Sequence, residues 1–164
     1  MGKFSIEQEY GGTRYRSRTE ARWAVLMDAA GVGFQYEPEG YDLVSGWYVP
    51  DFWVSGLNMF LEVKPEDFEI GPGHYIRERF VAEDLASLKK RPVLVACGWP
   101  REGMDLVYFE PDSIGPDLRP ISDFFRSSHA IRHAKSYRFD WATPARARQV
   151  RDMIRGASRR LTDW

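Results

Sequence analysis

The stretch VPDFWVSGLNMFLEVKP, residues 49–65, decides the fold. Residues 48–54 and 59–64 form two apolar runs separated by a serine-glycine turn signal, and this pattern predicts two consecutive β-strands. Pro65 ends the second run because proline has no N–H to donate within a central strand. Charged residues interrupt both apolar runs, and charges amid buried surface need partners. The stretch therefore predicts a pair of strands with a polar site built into it.

Three charged side chains in this stretch predict a hydrolytic metal site. Asp51 precedes the core of the first strand, and Glu62 and Lys64 lie in the second. Side chains alternate along a strand, so Glu62 and Lys64 share one face. The short turn brings Asp51 towards Glu62, although the register is not fixed by sequence. Carboxylate and carbonyl oxygens suit Mg²⁺, so the spacing predicts a site in which Asp51, Glu62 and the Val63 carbonyl bind Mg²⁺ while Lys64 holds an attacking water.

Length and composition favour one compact, globular domain. The chain has 164 residues, of which 43% are hydrophobic and 29% charged. No stretch approaches the roughly 20 apolar residues of a membrane span, and the N-terminus lacks the apolar run of a signal peptide. The single cysteine excludes an intramolecular disulfide and a cysteine-rich zinc site. We therefore expect a protein of the reducing cytoplasm with no membrane partner. No G-x-x-x-x-G-K-[ST] loop occurs, so we expect no nucleotide cofactor.

The remaining signals predict an α/β fold with a mixed central β-sheet flanked by helices. A capping-box pattern begins a helix at Ser17, with Glu20 three residues on, and Gly31 ends it. Three meander strands and a helical crossover to a fourth follow, in the order α-β-β-β-α-β. Residues 1–13 and 111–123 lack a regular pattern. The predicted helices are residues 17–30, 75–90, 127–136 and 143–161, and the predicted strands are residues 34–44, 48–54, 59–64, 92–97 and 106–110.

The charge of the chain is distributed unevenly. From Ile131 to the end there are nine basic and three acidic residues, a net of +6, whereas the other 14 basic and 21 acidic residues give −7. We predict a core domain of residues 1–125 and a basic helical extension of residues 126–164 packed on it. Two groups of arginines are spaced to contact phosphates, although a solvated basic face remains an alternative. These arginines are Arg14, Arg16, Arg18 and Arg22 around the first helix, and Arg148, Arg151, Arg155 and Arg159 in the last.

The chain resembles the PD-(D/E)XK nuclease superfamily in an ordered set of fragments: SRTEARW with Glu20, VPDFW with Asp51, and FLEVKP with Glu62 and Lys64. The second fragment contains the P-D element of that family and the third its E-x-K element. The resemblance covers about residues 15–110 and implies a restriction-endonuclease-like core. Glu20 matches the helix glutamate of the members closest to phage junction-resolving endonucleases and to the endonuclease subunits of some transposons.

By this resemblance the chain is a Mg²⁺-dependent endonuclease that hydrolyses phosphodiester bonds of DNA, with branched or junction DNA as the expected substrate. The resemblance implies that Asp51, Glu62 and the Val63 carbonyl bind Mg²⁺, for which Mn²⁺ is expected to substitute. Lys64 would orient the attacking water or help to deprotonate it. Glu20 would take part in catalysis and bind the metal directly or through water. A homodimer is expected if two strands are cut in concert. The expected location is the cytoplasm of a bacterial or phage-infected host cell.

Several alternatives remain open from sequence. Glu62 and Lys64 also fit an ion pair on an ordinary strand, and Glu20 fits a simple capping box. The same fold would serve a restriction-type nuclease, a mobile-element endonuclease subunit or a non-catalytic nucleic-acid-binding protein. The acidic residues after Lys64 would repel a phosphate backbone unless they point away or bind cations. These residues are Glu66, Asp67 and Glu69.

Overall fold

The structure is a computed structural model that describes residues 5–66, 68 and 76–139. Within this part of the chain, strands and three α-helices follow one another in the mixed α/β pattern that the sequence predicts. The strands are β1 (Gln8–Tyr10), β2 (Thr13–Tyr15), β3 (Gln35–Tyr36), β4 (Tyr41–Leu43), β5 (Gly46–Tyr48), β6 (Phe52–Val54), β7 (Met59–Lys64), β8 (Val93–Cys97), β9 (Asp105–Phe109) and β10 (Asp117–Pro120). The helices are α1 (Arg18–Ala29), α2 (Ile76–Lys89) and α3 (Ser128–Ser136), with a short 3₁₀ turn at Ile121–Asp123.

A six-stranded mixed sheet organises the described residues, in the order β10-β9-β8-β7-β6-β3. β3, β6 and β7 are antiparallel neighbours. Helix α2 then crosses over, so that β8 lies parallel to β7. β9 and β10 extend the sheet in antiparallel fashion. The predicted mixed sheet with flanking helices is therefore confirmed.

Helix α1 packs on one face of the sheet, where the larger apolar core lies. The Ser17 side chain accepts a hydrogen bond from the Glu20 N–H at 3.0 Å, which caps the helix as predicted. Gly31 follows the helix at φ +67°, a conformation that glycine adopts without strain. Trp23 is fully buried in this core, and its Nε1–H donates to the Gly98 carbonyl at 2.9 Å.

Helix α2 covers the opposite face of the sheet. Ala82, Leu85 and Ala86 of this helix are buried against Phe60 of β7 and Val95 of β8. Leu61 and Val63 of β7 belong instead to the core beneath α1. The alternation predicted along β7 therefore holds, and the face that carries Phe60, Glu62 and Lys64 is the one on which α2 packs.

Two predicted strands are each divided in the structure. Residues 34–44 form β3 and then, separately, β4, because Pro38 and the left-handed Glu37 at φ +45° interrupt the extended backbone. Residues 48–54 are divided at Pro50 in the same way. The freed segments β4 and β5 pair with each other as a hairpin outside the main sheet. This hairpin lies against α2, where the Ser45 N–H donates to Asp84 Oδ2 at 3.1 Å.

Two regions that were predicted to be irregular contain strands. β1 and β2 form a hairpin that turns at Gly11 and Gly12, both at positive φ, and the β2 residue Tyr15 is buried in the core under α1. β10 adds an edge strand to the sheet within residues 111–123. Strands of three or four residues are too short to show a clear alternation, which explains why the sequence pattern missed them.

The predicted short helix at residues 127–136 is confirmed as α3. Ala130, Ile131 and Ala134 are buried, and α3 packs on α1 within one apolar core. The last predicted helix and its four arginines (Arg148, Arg151, Arg155 and Arg159) lie outside the described residues. The division into residues 1–125 and 126–164 stays a prediction. No helix in the described ranges is long and apolar enough to cross a membrane.

Candidate active site

The pairing of β6 with β7 brings Asp51 and Glu62 together. Phe52 lies opposite Leu61, so Asp51, one residue before β6, falls opposite Glu62. The Asp51 N–H donates to Glu62 Oε1 at 2.9 Å, and the Val63 N–H donates to Asp51 Oδ2 at 2.8 Å. The predicted approach of Asp51 to Glu62 is thus confirmed, and the pairing of β6 with β7 gives the register that sequence left open.

Lys64 completes the cluster from the same face of β7. Its Nζ lies 3.5 Å from Glu62 Oε2, and its side chain is 24% exposed against 7% for Glu62. The ammonium therefore stands between the buried carboxylate and solvent. An ordinary exposed ion pair would leave both groups in water, which is not the arrangement found here.

Burial sets the ionisation of both carboxyl groups. Burial raises the pKa of Asp51 to about 7, and the charge of Glu20 raises it further against the lowering effects of the Val63 N–H and Lys64. Burial likewise raises the pKa of Glu62 to about 7, with Lys64 as the main opposing influence. Two adjacent carboxylates in such surroundings are costly to ionise together unless a cation neutralises them.

Glu20 lies beside this pair on α1. Its Oε2 accepts hydrogen bonds from the Tyr36 hydroxyl at 2.7 Å and from the Arg16 N–H at 3.1 Å. Burial raises the pKa of Glu20, while these hydrogen bonds lower it. Its charge in turn raises the pKa of both Asp51 and Glu62, so the three carboxyl groups form one electrostatic unit. The Ser17 side chain caps the helix by accepting from the Glu20 N–H, and the Glu20 carboxylate accepts from the Ser17 N–H as well as from Tyr36 of β3. The capping box and the candidate site therefore share one carboxylate.

The donor set fits Mg²⁺ in its chemistry. Asp51 Oδ1 and Glu62 Oε2 are not used in the backbone hydrogen bonds that join β6 to β7, and both are hard oxygen donors. Among the described residues, no group of three His, Cys, Asp or Glu side chains is arranged to hold a metal ion. A cation here would therefore depend on two carboxylates, and the Val63 carbonyl and Glu20 stay predictions as additional ligands.

A cavity of about 190 Å³ opens beside Glu62 and Lys64, between β7 and the first turns of α2. Tyr48, Arg77 and Glu78 line it. The sequence reasoning missed these three residues, since none belongs to a motif and only the crossover of α2 brings them to β7. A site of this size holds a few water molecules, each of which takes about 30 Å³ in the liquid.

Arginines near α1 differ in their surroundings. Arg14 forms an ion pair with Glu7, and Arg16 Nε lies 2.6 Å from Glu37 Oε1, with the Arg16 side chain 72% exposed. Arg18 is half-buried at the start of α1. Arg14 and Arg16 reach the surface, so phosphate contact by them stays a prediction.

The prediction that Arg22 contacts phosphate is wrong. This side chain is only 7% exposed. Its Nη1 donates to three carbonyl oxygens at the C-terminal end of α3: those of Ala134 at 2.9 Å, Lys135 at 3.0 Å and Tyr137 at 2.9 Å. Its guanidinium also stacks over Trp99, 3.9 Å from the ring centroid. Arg22 therefore joins α1 to the end of α3, where a cation satisfies carbonyls that have no helical partner.

Asp51→Asn is expected to stabilise the metal-free protein at alkaline pH. Asp51 titrates at about 7 in the folded chain against an ordinary value of 3.8, so the folded state retains a proton over this window that the unfolded state has lost. The contribution of this group to the free energy of unfolding therefore falls as pH rises between these values. We expect the free energy of unfolding of the variant to exceed that of the wild type by about 1 to 3 kcal/mol at pH 8. The difference should be smaller at pH 5.

Denaturant unfolding of both proteins in chelator-treated buffer measures this difference. Asp105→Asn, at an exposed position that begins β9, serves as the matched control and should show no such pH dependence. If the free energy of unfolding of Asp51→Asn equalled that of the wild type at every pH, the raised pKa of Asp51 in the folded chain would be contradicted.

Comparisons with known proteins gave no match to this chain among protein-family models, curated proteins or solved structures. Membership of the PD-(D/E)XK superfamily stays a prediction from the motifs.

Proposed function

We propose that the chain is a Mg²⁺-dependent endonuclease that hydrolyses DNA phosphodiester bonds on a restriction-endonuclease-like core. The observation that carries this proposal is the meeting of Asp51, Glu62 and Lys64 at the end of β7, with both carboxyl groups buried enough to titrate near 7. Perturbed titratable groups beside a cavity are typical of catalytic sites. The order α1-β3-β6-β7-α2-β8 supports it further, since it matches the expected α-β-β-β-α-β order once the β4–β5 hairpin is treated as an insertion.

Asp51 and Glu62 are the residues that would hold the cation, with the Val63 carbonyl and water as additional ligands. When bound, Mg²⁺ supplies Lewis-acid polarisation of the scissile phosphate and stabilises the charge that develops there. Lys64 Nζ donates hydrogen bonds to the attacking water and orients it. Water oxygen forms the new bond to phosphorus as the bond to the leaving oxygen breaks.

Two further side chains would act around this centre. Glu20, held by the Tyr36 hydroxyl, adds negative charge next to Asp51 and so strengthens the attraction for a divalent cation. Arg77 faces the cavity that contains Glu62 and Lys64 and would bind a phosphate oxygen of the substrate. Glu78 lies in the same lining and limits how much negative charge the cavity accepts without the cation.

The test is cleavage of linear, nicked, flapped and four-way DNA, each with Mg²⁺, with Mn²⁺ and with chelator. We expect cleavage that needs a divalent cation and is greatest on branched DNA. Asp51→Asn should abolish cleavage, since one of the two carboxylates that bind the cation is lost, whereas Asp105→Asn should cleave as the wild type does. Undiminished cleavage by Asp51→Asn, or cleavage in chelator, would overturn the proposal.

The same experiment separates the alternative functions. Cutting of plain duplex at fixed positions would favour a restriction-type enzyme or a mobile-element endonuclease subunit. DNA binding without cleavage of any substrate would favour a non-catalytic binding protein. The proposed homodimer is tested by sedimentation with and without four-way DNA, since paired nicks across a two-fold axis require two active sites.

A further inference from the structure

A groove of about 510 Å³ lies on the same face of the sheet as the candidate active site. Phe60 lines it and precedes Glu62 by two residues, so both side chains point to the face covered by α2. Two residues along a strand span roughly 6.6 Å, which places the groove directly next to the carboxylate cluster. The groove is lined mainly by Glu39, Tyr41, Trp53, Phe60, Lys89 and Arg91.

Aromatic rings form one wall of the groove. The Trp53 ring centroid lies 4.9 Å from that of Phe60, and the Tyr41 centroid lies 5.9 Å from it. Phe60 is buried beneath the other two, whereas Tyr41 and Trp53 are only half-buried. The partly exposed rings therefore rest on a buried ring, and aromatic faces that reach solvent favour stacking of unpaired bases.

Two cations border the aromatic wall. Lys89 and Arg91 are exposed, and Lys89 Nζ lies 4.9 Å from the Tyr41 ring centroid. Neither forms an ion pair within the part of the chain that the structure describes. Among the described residues that line the groove, Glu39 is the one acidic side chain, and it accepts a hydrogen bond from the Tyr41 hydroxyl at 2.9 Å. The lining thus carries a net positive charge beside aromatic surface.

The β4–β5 hairpin connects this groove to the candidate active site. Tyr41 of β4 pairs with Tyr48 of β5. Tyr41 lines the groove, and Tyr48 lines the cavity that contains Glu62 and Lys64. One hairpin therefore borders both sites, and a strand lying in the groove would continue towards the carboxylates.

We propose that this groove binds a single strand of nucleic acid, with bases stacked on Tyr41 and Trp53 and phosphates held by Lys89 and Arg91. A duplex does not fit this chemistry because its bases are already stacked on one another. The open cavity of about 650 Å³ next to β1–β3 is a poorer candidate, since the described residues that line it include Asp28 and Glu37 but no lysine or arginine. The inference that the groove delivers the strand to Glu62 rests on the proposed nuclease function. The inference that the groove binds a strand does not.

Binding is measured by fluorescence anisotropy of a labelled oligothymidine in chelator, so that no cleavage intervenes. The Lys89→Gln/Arg91→Gln double variant should bind at least about tenfold more weakly and reduce the salt slope by about 1.4, since each phosphate that a side chain neutralises on a single strand contributes about 0.7. Lys90→Gln is the matched control: Lys90 lies between the two in sequence but pairs with Asp112 at 2.8 Å. It should change neither quantity by a comparable amount.

Ligand variants test the stacking directly. An abasic strand of equal length keeps the phosphates and should bind about tenfold or more weakly, since stacking contributes about 1 to 3 kcal/mol for each base. A duplex should bind the groove more weakly than a single strand. Binding of a matching RNA oligonucleotide as tightly as the DNA would support strand binding by the groove. It would also show that the groove recognises bases and phosphates, which DNA and RNA share.

Three outcomes would contradict strand binding by the groove. They are equal affinity of the double variant and Lys90→Gln for the oligothymidine, equal affinity of the wild type for the abasic and the intact strand, and tighter binding of duplex than of single strand. These outcomes leave the cleavage test of Asp51→Asn untouched. Conversely, the wild-type protein could bind the strand but cut no DNA, while the double variant loses strand binding. That result would support strand binding by the groove and contradict the proposed nuclease function.

Discussion

Alanine in place of Lys64 is expected to slow DNA cleavage by about 10²- to 10³-fold, the usual loss when one positioned electrostatic group is removed from an active site. Lys64 Nζ lies 3.5 Å from Glu62 Oε2 and lowers the pKa of that carboxyl. Without the ammonium, Glu62 becomes harder to ionise and the attacking water loses its positioning donor. Single-turnover cleavage at saturating Mg²⁺ measures the loss.

DNA affinity distinguishes this catalytic effect from a general loss of positive charge. Lys64→Ala should bind substrate within about threefold of the wild type, because a single phosphate contact contributes little to affinity at moderate salt. Lys90→Ala removes the same charge from an exposed site paired with Asp112 and should cleave normally. Equal cleavage by Lys64→Ala and Lys90→Ala would exclude Lys64 from the chemistry.

Arg22→Ala is expected to destabilise the fold by about 3 kcal/mol, because one buried and two partly buried carbonyls would lose their donor together. The loss should lower the melting midpoint by roughly 6 to 12 °C for a chain of this size. Thermal unfolding in chelator measures it. Arg22→Lys should recover only part of the stability, since an ammonium neither stacks on Trp99 nor offers the planar guanidinium.

Arg132 provides the control for this prediction. It lies on α3 in an exposed ion pair with Glu102 at 2.9 Å, and Arg132→Ala should cost no more than about 1 kcal/mol. If Arg22→Ala melted like the wild type but bound DNA weakly, the structural role of Arg22 would be contradicted. The prediction from sequence that Arg22 contacts phosphate would then be supported.

The catalytic candidates were recognisable from sequence because their chemistry is local. Charged residues within apolar strands require partners, and alternation along β7 places Glu62 and Lys64 on one face whatever the rest of the chain does. The position of Asp51 opposite Glu62 was not recognisable, because a shift of one residue would have turned it to the other face. The pairing of β6 with β7 decides it, and each carboxylate then accepts a backbone N–H from the other segment.

Arg22 shows why the basic residues were harder to interpret. In sequence it is one of several arginines near the first helix, and all of them look equally suited to phosphates. The structure separates them because α3, more than a hundred residues away along the chain, ends against Arg22 and presents carbonyls to it. Long-range packing of this kind leaves no local signal.

The sequence by itself determined the three described helices, the strand β7 and which β7 residues share a face, because capping, turn residues and side-chain alternation act over a few residues. It did not determine the short strands β1, β2 and β10, which are too brief to show a pattern. Only the tertiary structure decided how far Asp51 and Glu62 are withdrawn from solvent, which side chains of α2 line the cavity beside Glu62, and that a charged aromatic groove adjoins this residue. Desolvation and cavity shape depend on elements distant in sequence, and these set the pKa values near 7 on which the proposed chemistry depends.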